Sequence, residues 1–166
     1  MKDQPVIGRG SGVDDRGSCG VGVVLDQDIK NEVIEVERKS SRIMRIKLAY
    51  GQEILNVICA NAPQIGCSEE ENNEFWLQMD EVQRSIPEGE RCIIGADLNG
   101  HIGSDNRGAE RVHCGKGMGI INEEGESVLD FAMSFDLAIQ NTFFTKRTYR
   151  TYKSGDRESQ IDFLLC

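Results

Sequence analysis

An apolar segment of this chain leads directly into three polar side chains that could do chemistry. Residues 92–96 have the composition of a buried strand, and Asp97, Asn99 and His101 follow at alternate positions. If the extended geometry continues, all three side chains leave the strand on the same side. A carboxylate can coordinate a hard cation or orient a water, and an amide can hydrogen-bond a phosphate oxygen. The spacing therefore indicates a polar site at a strand end, with a simple Asp-x-Asn-Gly turn as the alternative, and His101 alone is more typical of a turn-stabilising group than of a base.

Two later features could serve the same chemistry. Asp162 lies between Ile161 and Phe163 in the last apolar segment, so it either faces solvent or is paired within a site. Residues 146–157 hold five basic side chains, one acid and two tyrosines: Lys146, Arg147, Arg150, Lys153, Arg157, Asp156, Tyr149 and Tyr152. This pattern suits contact with a nucleic-acid backbone, and it equally suits a solvated hairpin whose cations discourage edge pairing.

The hydrophobic pattern predicts strands first and helices later. Strands are expected over 21–25, 33–38, 44–48, 54–60, 92–96, 137–142, 149–152 and 160–166, with a turn at 26–31 and a long loop at 102–121. One helix should cover 69–86, begin at a Ser68–Glu71 capping box and bury Phe75, Trp76, Met79, Val82 and Ile86. A second should cover 123–135, begin at Asn122 and bury Val128, Leu129, Ala132, Met133 and Phe135. This order favours a layered α/β sandwich in one domain.

Composition narrows the function classes. The chain has 166 residues and a net charge of −9, which argues against indiscriminate nucleic-acid binding without excluding a local basic groove. Its six cysteines form no CxxC pair, and no apolar run suits a membrane span or a signal peptide. We therefore expect reduced thiols, a nuclear or cytoplasmic location and no membrane partner.

Several segments, in order, match the motif series of one known family. The strand-end motif Gly95-Ala96-Asp97-Leu98-Asn99-Gly100-His101 and the segment Ala60-Asn61-Ala62-Pro63 resemble a core motif and the Ala-Tyr-x-Pro segment of the endonuclease/exonuclease/phosphatase superfamily. Similarity to the endonuclease domains of non-LTR retrotransposons is seen in Asn122-x-x-Gly125, Asn141-Thr142-Phe143-Phe144, Thr151-Tyr152-Lys153-Ser154-Gly155 and residues 159–165. The nearest resemblance is to the craniofacial development protein 2-like group, whose members look like domesticated or residual copies of such endonucleases.

The resemblance implies an α/β fold of four layers, a β-sandwich of two mixed sheets flanked by helices. It places this domain at residues 20–166, incomplete at both termini, after an irregular leader at 1–19. It also implies Mg²⁺-dependent phosphodiester hydrolysis on DNA or a related substrate. In this scheme Asp97 orients the attacking water, Asn99 steadies the phosphate, both contact the metal, and Asp162 supports the site. Substrate contacts would come from Asn61, Ser159, Arg150 and Lys153.

Three departures from the family pattern predict impaired catalysis. The family's metal-binding Glu is not found before Cys19, Asn61 stands where the family has Tyr, and no His follows Asp162. Because catalytic groups act as a unit, losing one often removes most of the rate. We therefore expect weak hydrolysis, with a non-catalytic binding protein or a gene remnant of a retrotransposon endonuclease as the alternative.

Overall fold

Five strands form the mixed sheet at the centre of the computed structural model, which describes residues 6–7, 20–155 and 157–166. In chain order the elements are β1 (Val6–Ile7), β2 (Val24–Leu25), α1 (Gln27–Asn31), β3 (Val33–Arg38), β4 (Ile43–Tyr50), β5 (Glu53–Asn61), α2 (Glu69–Arg84), β6 (Arg91–Asp97), α3 (Glu123–Ser134), a 3-10 turn (Gln140–Thr142), β7 (Tyr152–Ser154), β8 (Arg157–Ser159) and β9 (Asp162–Leu165).

The strand order of the large sheet is β3-β4-β5-β6-β9. All neighbouring pairs are antiparallel except β5 and β6, which run parallel. A parallel pair needs a long crossover connection, and α2 lies in the segment that joins β5 to β6. Two small antiparallel sheets, β1-β2 and β7-β8, lie outside this sheet.

The two faces of the sheet bury different sets of side chains. One face carries Ile58 and Ile94, which pack with α2 and α3 into the main core. The other face carries Met44 and Ile46, which pack with Val21 and other residues of the β2 region into a smaller core. Because strand side chains alternate, β5 contributes to both cores.

Both long helices begin where the sequence predicts. The Ser68 hydroxyl accepts the Glu71 N–H, and the Glu71 carboxylate accepts the Ser68 N–H, which completes the expected capping box. The Asn122 side chain accepts the Gly125 N–H at the start of α3. In α3, however, Phe131 is buried and Met133 is 39% exposed, so the predicted inward position of Met133 is wrong. Met133 lies about 200° around the helix axis from Phe131, whose ring faces the core.

Several predicted elements differ in the structure. The predicted strand at 137–142 is a single bridge between Ile139 and Leu165 followed by the 3-10 turn, because the Thr142 hydroxyl bonds back to the Ile139 carbonyl. The predicted turn at 26–31 contains the short helix α1, which the Asp26 side chain caps. The strand predicted at 149–152 is displaced to β7, and it pairs with β8, a strand that the sequence reading missed.

The predicted layered α/β class is confirmed, because helices α2 and α3 pack on one face of the mixed sheet and residues 21–25, which include β2, pack on the other. The predicted irregular leader at 1–19 lies outside the described residues, apart from Val6–Ile7, which pair with β2. Within the described part of the chain, no helix combines the length and apolarity that a membrane crossing requires.

Candidate active site

Three polar side chains form one row across the end of the large sheet. Asn61 is in register with Asp97 on the parallel strand β6, and Asp97 is in register with Asp162 on the antiparallel strand β9. Residues in register share a face, so all three side chains leave the sheet opposite the main core. They line an open cleft of about 500 Å³ whose other walls come from residues 20–22, Asn141 and Thr151. We call Asn61, Asp97 and Asp162 the strand-end row.

Backbone hydrogen bonds extend the sheet one residue beyond this row. The Ala62 N–H donates to the Asp97 carbonyl at 2.8 Å, and the Leu98 N–H donates to the Ile161 carbonyl at 2.8 Å. The row is therefore anchored on both sides by sheet hydrogen bonds. Ligands of open α/β sheets bind at such carboxyl ends of parallel strands.

Burial and a neighbouring charge both act on Asp97. Partial desolvation raises the pKa of its carboxyl group, and the negative charge of Asp162 raises that pKa further. The Asn99 N–H donates to Asp97 Oδ1 at 3.2 Å and opposes the rise. The two carboxylates therefore repel each other at the mouth of the cleft, an arrangement that a bound cation would relieve.

Asn99 and His101 do not continue the strand geometry that the sequence analysis assumed. Asn99 adopts a left-handed backbone with φ of +50°, so the chain turns after Leu98. Its side-chain Nδ2 donates to the Ala62 carbonyl at 2.9 Å, which ties the end of β5 to the loop after β6. The His101 N–H donates to Asn122 Oδ1 at 2.7 Å, so this residue is held against the start of α3. Neither residue lines the cleft.

The hairpin formed by β7 and β8 is attached to the cleft through Thr151. The Thr151 hydroxyl accepts the N–H groups of Ile161 and Asp162 at 3.0 and 3.1 Å. The Thr151 N–H donates to the Ser159 carbonyl, which fixes Ser159 at the base of the hairpin. Thr151 therefore connects the start of the hairpin to the strand-end row.

Arg150 and Lys153 are both paired with an acid that the basic segment 146–157 did not include. Arg150 forms an ion pair with Glu158, and the Lys153 ammonium lies 3.4 Å from the same carboxylate. Sequence reasoning missed Glu158 because the segment was ended one residue too early.

Asn141 is a second group that the sequence analysis missed. Its Nδ2 donates to the Asp162 carbonyl at 3.2 Å, and its Oδ1 accepts the Leu164 N–H at 2.7 Å. Asn141 thus takes the place of a neighbouring strand along the outer edge of β9. Asn141 lies in the motif Asn141-Thr142-Phe143-Phe144 of the family resemblance, and this motif was the sequence feature that could have indicated a role for it.

The donor set of the row fits a hard divalent cation. Asp97 and Asp162 present carboxylate oxygens, and Asn61 can present an amide oxygen. Proteins usually hold Mg²⁺ through one or two carboxylates, while water and substrate phosphates complete the octahedron. Among the described residues no cluster of three or more His, Cys, Asp or Glu side chains suits a metal, so a site here would have two carboxylates.

Comparisons with known proteins bear on the fold of the chain. No family model matches the chain. The chain is 26% identical over 151 residues to craniofacial development protein 2 of Tragulus javanicus and 25% identical to that of Bos taurus, in each case over 89% of this chain. It superposes on the endonuclease domain of TRAS1, a telomere-specific non-LTR retrotransposon, with a TM-score of 0.59 at 16% identity, covering 86% of this chain and 57% of that domain. The chain has the endonuclease/exonuclease/phosphatase fold.

The predicted resemblance to this superfamily and to craniofacial development protein 2 is confirmed. The chain spans about a quarter of the length of these curated relatives, covering 26% and 25% of them.

Proposed function

We propose that this chain binds a phosphodiester of DNA over the strand-end row and hydrolyses it slowly with the help of Mg²⁺. The observation that carries the proposal is the in-register placement of Asn61, Asp97 and Asp162 across three adjacent strands. The similarity in fold to the endonuclease domain of TRAS1 supports it.

Each side chain of the row has a distinct task in this proposal. Asp97 orients the attacking water and accepts its proton at a carboxylate oxygen. Asn61 donates its amide N–H to a non-bridging phosphate oxygen. Asp97 and Asp162 would hold Mg²⁺, which when bound supplies Lewis-acid stabilisation of the developing charge.

Three further predicted roles belong to this proposal. Arg150 and Lys153 lie along the substrate backbone, and Ser159 helps to place the strand that carries Asp162. Asn99 reaches the phosphate or the metal only if its amide leaves the Ala62 carbonyl, so in the present geometry it positions the end of β5.

Slow hydrolysis follows from the groups that line the cleft. Asn61 occupies the position where the family resemblance has a tyrosine, and the described lining contains no imidazole to protonate a leaving group. These two features also favour the second candidate function, which is nucleic-acid binding without turnover.

Nicking of supercoiled plasmid in Mg²⁺ tests the proposal. We expect slow nicking by the natural chain, loss of nicking in Asp97→Ala and Asp162→Asn, and unchanged nicking in Asp105→Ala. Asp105 is a suitable control because it is exposed and paired with Arg107 away from the cleft. Equal, negligible rates in the natural chain and in Asp97→Ala would overturn the proposal, and retained DNA binding would then favour the second candidate.

Asn61→Tyr provides a gain-of-function test. A phenol beside Asp97 restores the donor that the family pattern places there, so we expect faster nicking that still requires Asp97. A rate unchanged from that of the natural chain would show that Asn61 does not limit hydrolysis.

A further inference from the structure

Glu158 is shared by two cations of the β7-β8 hairpin. Lys153 and Glu158 are direct cross-strand partners, and the Lys153 ammonium lies 3.4 Å from the Glu158 carboxylate. Arg150, which precedes β7, forms an ion pair with the same carboxylate oxygen. The Glu158 carboxylate therefore pairs with both cations at once.

These cations remain accessible to a ligand. The side chains of Arg150, Lys153 and Glu158 are 41%, 60% and 35% exposed. Ion pairs with this exposure are weak, since each is worth only about 0–1 kcal/mol. Phosphate oxygens of a nucleic acid can therefore compete with Glu158 for the two cations.

The hairpin is also held in a fixed place beside the strand-end row. Thr151 follows Arg150 directly, lines the cleft, and accepts the Asp162 N–H through its hydroxyl. A backbone bound over the strand-end row would therefore lie close to the start of this hairpin. Within the described residues Lys146 and Arg147 of the same segment are exposed and form no ion pair, so they extend the basic surface.

We propose that Glu158 is an internal competitor for the nucleic-acid backbone, which lowers the affinity of the hairpin for DNA and makes binding depend on displacing a carboxylate. The proposal rests on the proposed function, because it assigns the hairpin to the same substrate. Glu158 resembles a phosphate in presenting anionic oxygens to an arginine and a lysine. In a chain of net charge −9, this restricts indiscriminate electrostatic binding.

Neutralising Glu158 frees both cations without removing a contact that holds the hairpin backbone. Because the competing pairs are exposed, we expect Glu158→Gln to bind duplex DNA about three- to tenfold more tightly. Each additional phosphate contact should also steepen the dependence of log affinity on log salt by about 0.9. The gain should therefore be largest at low salt.

The test is fluorescence anisotropy with a labelled DNA duplex in EDTA, titrated at several salt concentrations. Glu53→Gln is the matched control, because it makes the same charge change and frees Arg91, an exposed arginine at the other end of β6. We expect Glu158→Gln, but not Glu53→Gln, to bind DNA more tightly and to show a steeper slope of log affinity against log salt. The gain should also vanish when Arg150→Ala and Lys153→Ala are added to Glu158→Gln.

Two outcomes would overturn the competitor role. One is equal affinity of Glu158→Gln and the natural chain, and the other is an equal gain in both glutamine variants. Plasmid nicking measured with the same variants distinguishes failure of the competitor role from failure of the proposed hydrolysis. Asp97-dependent nicking with no Glu158 effect would overturn only the competitor role, whereas tighter binding by Glu158→Gln without any nicking would support that role and overturn hydrolysis.

Discussion

Asn141→Ala tests whether one side chain satisfies the outward backbone groups of β9, which ends the strand order of the large sheet in the described residues. Asn141 donates to the Asp162 carbonyl at 3.2 Å and accepts the Leu164 N–H at 2.7 Å, so it satisfies two outward backbone groups of β9. An intramolecular hydrogen bond contributes about 0.5–1.5 kcal/mol net. Because these two are partly exposed, their combined loss should lower the free energy of unfolding by about 1–2 kcal/mol.

Urea denaturation measures this change as a lower midpoint with an unchanged slope. Asn73→Ala on the exposed side of α2 is the matched control, and its effect should stay within about 0.5 kcal/mol. A loss below about 0.5 kcal/mol in Asn141→Ala would refute the reasoning, because it would mean that water satisfies the outer edge of β9 equally well.

Asn141→Asp sharpens the same test. An aspartate keeps the acceptor for the Leu164 N–H but loses the donor to the Asp162 carbonyl, and it adds a third carboxylate near Asp97 and Asp162. We expect this variant to be at least as destabilised as Asn141→Ala at pH 7. Its stability should recover as the pH falls and the new carboxyl group gains a proton that it can donate.

Three further predictions concern stability. The pKa of Asp97 is raised above its usual 3.8, so the ionised carboxylate destabilises the folded state at neutral pH. Asp97→Asn should therefore raise the melting temperature at pH 7. This gain should disappear in melts recorded as the pH falls toward 3.8, where the carboxyl group of the natural chain becomes protonated. Burial lowers the pKa of His113 below 6.5, and its Nδ1 accepts the Gly115 N–H, so the folded state favours the neutral imidazole. The urea midpoint should therefore fall as the pH drops below 6.5, because the unfolded chain binds the proton more readily. This pH dependence should be weaker in His113→Gln. A Cβ at Gly125 would lie 1.9 Å from the His101 carbonyl oxygen, so Gly125→Ala should lower the free energy of unfolding by about 2–4 kcal/mol in thermal melts. Gly95→Ala is the control, because a Cβ there would meet no atom within 4 Å, and it should change the free energy of unfolding by less than about 1 kcal/mol. An unchanged melting temperature in Gly125→Ala would show that the helix start can move away from His101.

Local patterns in the sequence were sufficient for the elements that carry the fold. The 3.6-residue spacing of Phe75, Met79 and Val82 placed α2, and the Ser68 capping box placed its start. The apolar run of residues 92–96 predicted a strand buried on both faces, whereas in β6 only Ile94 and Ala96, on the core side, are fully buried. The order of motifs predicted the fold, which the similarity to the TRAS1 endonuclease domain confirms. These signals are short-range, so a single sequence contains them.

The short strands and turns of the second half were less predictable. Residues 137–142 have strand-like side chains, but only Ile139 pairs with β9, because the side chains of Asn141 and Thr142 bond to the backbone instead. Similarly, β7 and β8 take their register from cross-strand pairs such as Lys153 with Glu158, which no local pattern specifies.

The sequence by itself determined that Asp97 ends a strand and that Asp162 lies in another, since both follow from residue type and spacing. It could not determine that the two carboxylates share a row with Asn61, because register between distant strands depends on the packing of the whole sheet. Tertiary structure also decided against a row of Asp97, Asn99 and His101, since the left-handed turn at Asn99 directs its amide to Ala62. The site is therefore made by three strands side by side, and not by one strand read along its length.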